Sequence, residues 1–234
     1  GKTTALTKRI EFLTTFRSVK PESVLAITFT RKARNEMATR LAKHPYCTGV
    51  KIETFNSFCE KIIKQYDNLI YKNPTRMISY GEKIKLFKVA LKKSNIDFNL
   101  AIEQYFSQRQ RRDKTQEELL KTLMNDCYSI LELYKTNNMN IDELKNFAKD
   151  AKSYDEFDEN NVEMVYGLCK FMDLFMKKAG LRDYVDQIIH CIKFFKDNQS
   201  SIPKFEYILI DEYQDINALQ IELIDLLNPQ NLFC

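Results

Sequence analysis

The run Tyr207-Ile208-Leu209-Ile210 constrains this chain more than any other segment. It is apolar at successive positions and ends in two acids, Asp211 and Glu212. A strand with one wet face alternates polar and apolar residues. A strand apolar throughout must be covered on both faces, as in a parallel sheet with helices on each side. Val24-Leu25-Ala26-Ile27-Thr28 is a second such run, and Val50-Lys51-Ile52-Glu53-Thr54 reads as a third strand. Between them the spacing changes to the helical period. Ala5, Leu6, Ile10, Leu13 and Phe16 share one helical face, and Ala33, Met37 and Leu41 share one face of a helix over 31–41. Ser57 is placed to cap a helix carrying Phe58, Ile62 and Ile63. Leu219, Leu223, Leu226 and Leu227 predict another helix, stopped by Pro229, and Asn231 to Cys234 begins a further strand. Helices alternating with short apolar strands predict an α/β fold, a parallel sheet flanked by helices.

The middle of the chain reads differently. From about 78 to 179 the strand pattern disappears. Leu120, Leu123, Cys127, Ile130, Leu131 and Tyr134 form one apolar stripe, and Val165, Leu168, Cys169, Met172, Phe175 and Met176 form a second. Glu82 to Leu91 is a third, shorter helix, and polar stretches at 107–116, 137–140 and 155–161 separate these elements. The expected organisation is an α/β segment over 1–70, an all-helical inserted subdomain over 71–180 and a second, truncated α/β segment over 181–234. Arg109-Gln110-Arg111-Arg112 suits either a phosphate backbone or a solvated helix end.

Six cysteines lie far apart with no Cys-x-x-Cys pair, and there are only two histidines, so no zinc site is expected and the thiols read as buried and reduced. No stretch approaches the roughly 18 apolar residues of a membrane span, and no membrane partner is expected. Net charge is +4 over the 234 residues, unevenly spread. Residues 1–64 hold 13 Lys/Arg against 5 Asp/Glu, whereas residues 204–234 hold 1 against 6. A basic segment attracts polyanions through counterion release, although charge alone also suits a solvated surface.

The chain opens on Gly1-Lys2-Thr3-Thr4, which reads as the second half of a phosphate-binding loop. On that reading the chain is a piece of a longer protein. Holding a triphosphate takes backbone amides at a helix N-terminus, a cation and a hydroxyl on magnesium. Gly1 allows close backbone approach, Lys2 is the cation, Thr3 the hydroxyl, and Thr4 adds an amide near the α-phosphate. Alone, so short a motif is a weak signal. Magnesium also needs a carboxylate, and hydrolysis needs a base to orient water. Asp211, at the C-terminal tip of a buried strand, faces the ligand crevice of an open α/β sheet, and Glu212 can polarise the water. Acids also suit the start of a helix, but their pairing with Gly-Lys-Thr favours a nucleotide site. Thr28-Phe29-Thr30-Arg31 ends one strand with two hydroxyls around an aromatic and then a cation; Thr54-Phe55-Asn56-Ser57 repeats the plan at the next. Hydroxyls and helix amides hold phosphates, and a phenyl face stacks on a base, so the two tips point to a single-stranded nucleic acid track.

These motifs, in this order, resemble the first motor domain of a UvrD/Rep-type DNA helicase. Gly1 to Thr3 matches the end of that family's phosphate loop. Ile27-Thr28-Phe29-Thr30, with Lys32-Ala33, Met37 and Arg40-Leu41, resembles its T-F-T-N-K-A-A motif. Thr54 to Cys59 resembles its T-F-H-S segment, Asp183-Tyr184-Val185-Asp186 its D-F-D-D element, and Asp211-Glu212-Tyr213-Gln214-Asp215 with Gln220 its D-E-x-Q-D signature. The resemblance implies a RecA-like P-loop NTPase fold binding ATP and Mg2+. Lys2 and Thr3 would take the phosphates and magnesium, Asp211 the magnesium, and Glu212 would be the base, with Gln214 beside it. Thr28, Phe29, Thr30, Arg31, Thr54, Phe55 and Asn56 would line single-stranded DNA. The implied activity is ATP-driven 3′–5′ translocation and unwinding at duplex junctions, in the cytoplasm or, in a eukaryote, the nucleus. Arg31 replaces the family's usual asparagine, Asn56 its usual histidine, and Thr4 stands where relatives often carry an arginine that stacks on adenine. The arginine finger and second motor domain of the family would lie outside these residues, so the isolated chain is expected to be inactive. Other readings are the motor of a helicase–nuclease, an ATP-binding DNA-binding module without unwinding, and a simple nucleotide kinase.

Overall fold

The computed structural model describes residues 2–137, 139–143 and 156–234, with backbone alone for 2 and 156–159. Two units emerge: residues 1–72 with 186–234, and residues 73–185. In chain order the first unit begins with α1 (Lys2–Phe16), β1 (Val24–Ile27), α2 (Arg31–Leu41), β2 (Lys51–Glu53), α3 (Phe55–Gln65) and the short α4 (Asp67–Ile70). The second unit holds β3 (Arg76–Met77), α5 (Tyr80–Lys93), α6 (Phe98–Tyr105), α7 (Gln108–Arg111), α8 (Gln116–Thr136), α9 (Glu156–Lys178) and β4 (Leu181–Arg182). Then come α10 (Tyr184–Asp197), whose first two residues belong to the second unit, β5 (Tyr207–Ile210), α11 (Ala218–Leu227) and β6 (Asn231–Phe233). Among the described residues no helix is long and apolar enough to cross a membrane.

The first unit is a four-stranded parallel sheet in the order β2-β1-β5-β6, flanked by helices. All four β1 residues are buried, as a strand covered on both faces requires. Val24 and Ala26 pack with Leu6, Ile10 and Leu13 of α1, Met37 and Leu41 of α2, and Leu209 of β5. The face of α1 differs from the expected one. Ala5 and Phe16 are exposed, and Thr7 and Thr14 are buried instead. Their hydroxyls donate to the carbonyls of Thr3 (2.8 Å) and Ile10 (3.1 Å) one turn back, which satisfies the polar atom and leaves the rest of the side chain to pack. Helix α3 starts at Phe55, earlier than a Ser57 cap implies. Thr54 is the cap: its hydroxyl accepts from the Ser57 amide (3.1 Å), while the Ser57 hydroxyl accepts from the Thr54 amide (2.8 Å).

The second unit is helical around one core. Leu86, Phe87, Ala90 and Leu91 of α5, Ala101 and Ile102 of α6, and both long stripes of α8 and α9 meet there. Phe175 is the exception, exposed at the edge of its stripe. Helix α6 arises where no element is expected, and α7 inside the polar stretch 107–116, each started by a side-chain cap, Asp97 and Ser107. The parallel pair β3–β4, two residues each, joins the points where the chain enters and leaves this unit. Of the acidic stretch 155–161, residue 155 lies outside the described residues and the backbone from Glu156 is helical. Five cysteines are buried and Cys234 is exposed, against the expectation that all are inside. Burial pushes the Cys59 thiol well above its ordinary range.

Candidate functional site

Because β1, β2 and β5 run parallel, the residues that follow them, Thr28, Thr54 and Asp211, gather at one edge of the sheet. The ladder extends to that edge: the Asp211 amide donates to the Ile27 carbonyl (2.9 Å) and the Thr28 amide to the Glu53 carbonyl (2.9 Å). The first turn of α1 meets the same edge. The Thr3 hydroxyl donates to Asp211 Oδ2 at 2.7 Å, joining residues 208 positions apart. Gly1 and the side chain of Lys2 lie outside the described residues.

Asp211 is 4% exposed, and its second oxygen, Oδ1, is buried and finds no hydrogen-bond partner among the described residues. Leaving a buried acceptor unpaired costs about 1–3 kcal/mol, more for a charged group. A hydroxyl beside a carboxylate with one oxygen to spare is the hard-oxygen set that magnesium takes, so the residues present fit that ion. Glu212 follows in the left-handed conformation, φ 55° and ψ 48°, which few residues other than glycine adopt. The chain turns there out of β5 into the 3₁₀ turn Tyr213–Asp215. The side-chain amide of Gln214 donates to Glu212 Oε2 at 2.5 Å, so the two are brought together. Thr4, exposed in the first turn of α1, accepts a hydrogen bond from Arg40 Nη1 of α2 at 2.6 Å. Gln220 is buried and accepts from the Asn217 amide at the start of α11 (3.0 Å).

At the β1 tip Phe29, Thr30 and Arg31 are exposed, while Thr28 is buried with its hydroxyl donating to the Thr30 carbonyl (3.2 Å). Thr30 caps α2 by accepting from the Ala33 amide (3.1 Å). At the β2 tip Thr54 and Phe55 are buried and Asn56 is half-buried. Phe29, 39% exposed, rests edge-on against Phe55, 3% exposed, with ring centres 6.4 Å apart. Glu53, a buried acid not singled out in the sequence, accepts from the Ser57 hydroxyl (2.6 Å), pairs with Lys61 and lies 3.9 Å from Arg34 of α2. It therefore ties α2 and α3 together below the two tips. Its signal was a lone acid at a strand end in a basic segment. Gln187 of α10 is also new: it accepts from Asn56 Nδ2 (3.0 Å) and donates to Glu60 (2.8 Å). A partner 131 positions away leaves no local signal. Asp183 lies in the other unit, where it accepts from Lys135 (2.7 Å) and from the Val185 amide (3.0 Å).

A parallel sheet flanked by helices, with a helix N-terminus and a strand-end carboxylate meeting at one edge, defines the P-loop NTPase fold. Within it, the profile of the UvrD/REP helicase N-terminal domain matches residues 1–234, and the chain belongs to that family. It is similar to the ATP-dependent DNA helicase PcrA of Bacillus subtilis (strain 168), 30% identical over 231 residues, 96% of this chain and 27% of that protein. A probable DNA helicase II homolog of Mycoplasma genitalium is 30% identical over 242 residues, 99% of this chain and 31% of that protein. Another from Mycoplasma capricolum is 27% identical, covering 97% of this chain and 29% of that protein. The chain thus spans under a third of the length of these relatives.

Proposed function

We propose that this chain is the ATP-binding part of the first motor domain of a DNA helicase that moves 3′–5′ along single-stranded DNA and unwinds duplex ahead of it. The observation that carries this reading is the Thr3–Asp211 hydrogen bond with Asp211 Oδ1 buried and without a partner among the described residues. In it Gly1, Lys2, Thr3 and Thr4 receive the phosphates of ATP, and Thr3 and Asp211 hold Mg2+, which when bound neutralises charge on the β- and γ-phosphates. Glu212 orients the attacking water and takes its proton. Gln214, bonded to Glu212, fixes the carboxylate's direction. The left-handed backbone at Glu212 lifts this side chain out of the strand's alternation, so that Asp211 and Glu212 serve the same edge.

The single strand lies across the two tips. Exposed Phe29 offers a stacking face, with buried Phe55 behind it, and Arg31 and the N-termini of α2 and α3 face the phosphates. Thr28 and Thr54 shape the tips from within, and Asn56 stands at the surface of the second. The first unit is the motor domain and the second its helical insertion. A second motor domain of the full-length chain supplies what hydrolysis still requires, and the protein works where DNA is, in the cytoplasm or a nucleus.

The test uses the full-length protein. Lys2→Ala and Glu212→Gln should each abolish DNA-stimulated ATP hydrolysis, and a duplex with a 3′ single-stranded tail should be unwound in preference to one with a 5′ tail. Full ATPase in the Glu212→Gln variant would rule out this catalytic assignment, and ATP turnover indifferent to DNA would favour a simple nucleotide kinase.

A further inference from the structure

Asn56 is held from inside the protein. Its side-chain amide donates to Gln187 Oε1 at 3.0 Å, and the Gln187 amide in turn donates to Glu60 Oε2 at 2.8 Å. Gln187 is 4% exposed, so both ends of its amide must find partners within the protein. Both partners lie on α3, at the second and sixth residues of that helix. The bond crosses from α10, in the turn where the chain re-enters the first unit, to the surface of the β2 tip. Asn56 is half-buried: it reaches inward to Gln187 and still presents part of its surface to solvent beside Phe55.

From this geometry we infer that Gln187 is a positioning residue for the single-strand contact made at Asn56. The inference rests on the reading of the two strand tips as the DNA track. Without Gln187 the Asn56 amide loses this buried acceptor, and Glu60 loses the Gln187 donor. Gln187 therefore sets affinity for the strand and leaves the nucleotide site alone.

The experiment measures binding of a labelled oligothymidylate to full-length protein carrying Gln187→Met, Asn56→Ala, or both. Methionine keeps the volume and removes the hydrogen bonds. Gln187→Met should raise the Kd about fivefold, the ratio that loss of one ordinary hydrogen-bonded contact implies. The KM for ATP and the DNA-independent ATPase rate should not move, which separates positioning from general damage. The double variant should bind no worse than Asn56→Ala alone, because Gln187 acts through Asn56. An unchanged Kd in folded Gln187→Met, or effects that add in the double variant, would overturn the inference. Failure of both Gln187→Met and Gln187→Leu to fold would assign Gln187 to the core and overturn it too. Phe29→Ala and Arg31→Ala separate the two levels. If they leave strand binding intact, the track reading itself fails; if they weaken it and Gln187→Met does not, only the role of Gln187 falls.

Discussion

Replacing Asp211 by asparagine should make the protein more stable and at the same time unable to use its nucleotide. Asp211 is buried, and among the described residues only one of its two oxygens has a donor, the Thr3 hydroxyl. Asparagine keeps an acceptor for Thr3 and removes a buried charge whose other oxygen is unpaired. Removing that burden should stabilise the metal-free domain by about 1–2 kcal/mol. For a domain of this size that corresponds to a rise in Tm of about 2–8 °C. Wild type should gain about 2.7 kcal/mol from Mg2+ and nucleotide at a hundred times the Kd, whereas the variant should gain almost nothing. The order of stabilities therefore inverts: the variant melts higher in EDTA, and wild type melts higher in saturating Mg·ADP. Scanning calorimetry of full-length protein under the two conditions reads both. An Asp211→Asn protein no more stable than wild type in EDTA, or one that keeps the nucleotide-induced shift, would refute the account of Asp211 Oδ1 as an acceptor waiting for a cation.

Four further outcomes are expected. Phe29→Ala should weaken single-strand binding about tenfold with little change in stability, in line with about 1–3 kcal/mol per stacked base. Phe55→Ala, which empties a buried site, should do the same and also lower stability by about 3 kcal/mol, measurable by urea titration. Strand β6 pairs only with β5 among the described residues, its three residues are exposed, and Leu232 and Phe233 contribute apolar area, Arg9 of α1 lying over the rings of both Phe233 and the exposed Phe12. Such an edge templates association, so the 234-residue chain alone should self-associate, and Leu232→Lys should reduce this in light scattering. In the helical unit, the Arg76 guanidinium and then the amide and hydroxyl of Ser79 hold Glu82 down to about 2. Its folded value lies below its ordinary 4.5, so its stabilising contribution is full above that pH and fades as pH falls toward 2. Glu82→Gln should flatten the pH dependence of stability across that window.

The centre of the sheet was legible because β1 and β5 are apolar at successive positions. Val24 to Ile27 and Tyr207 to Ile210 became strands, and α2 spans Arg31–Leu41 as its period predicts. What the sequence hid was polar. Thr7 and Thr14 look like surface residues until their hydroxyls find carbonyls one turn back. The Thr54–Ser57 pair reads as the end of a strand followed by a cap, yet reciprocal bonds make it the start of the helix. Phe55 and Thr28 look like exposed ligands of a strand tip because composition does not tell a stacking face from the ring supporting it. The Thr3–Asp211 contact could be anticipated because both residues belong to recognisable motifs. The Asn56–Gln187 bond could not, since neither amide is chemically unusual and only the folded chain brings them together.

Helix α2 acts as a strut of fixed length. Its cap, Thr30, stands at the tip of β1, and Arg40, in its last turn, donates to Thr4 in the first turn of α1. Ten residues at 1.5 Å each separate the two ends by about 15 Å. An inserted or deleted residue would change that span little but would swing Arg40 by about 100° around the axis, out of phase with Thr4. If Thr4 serves the nucleotide and Thr30 the strand, as proposed, the spacing between the two sites is counted in whole residues, and side-chain substitutions along α2 should be tolerated far better than a change in its length.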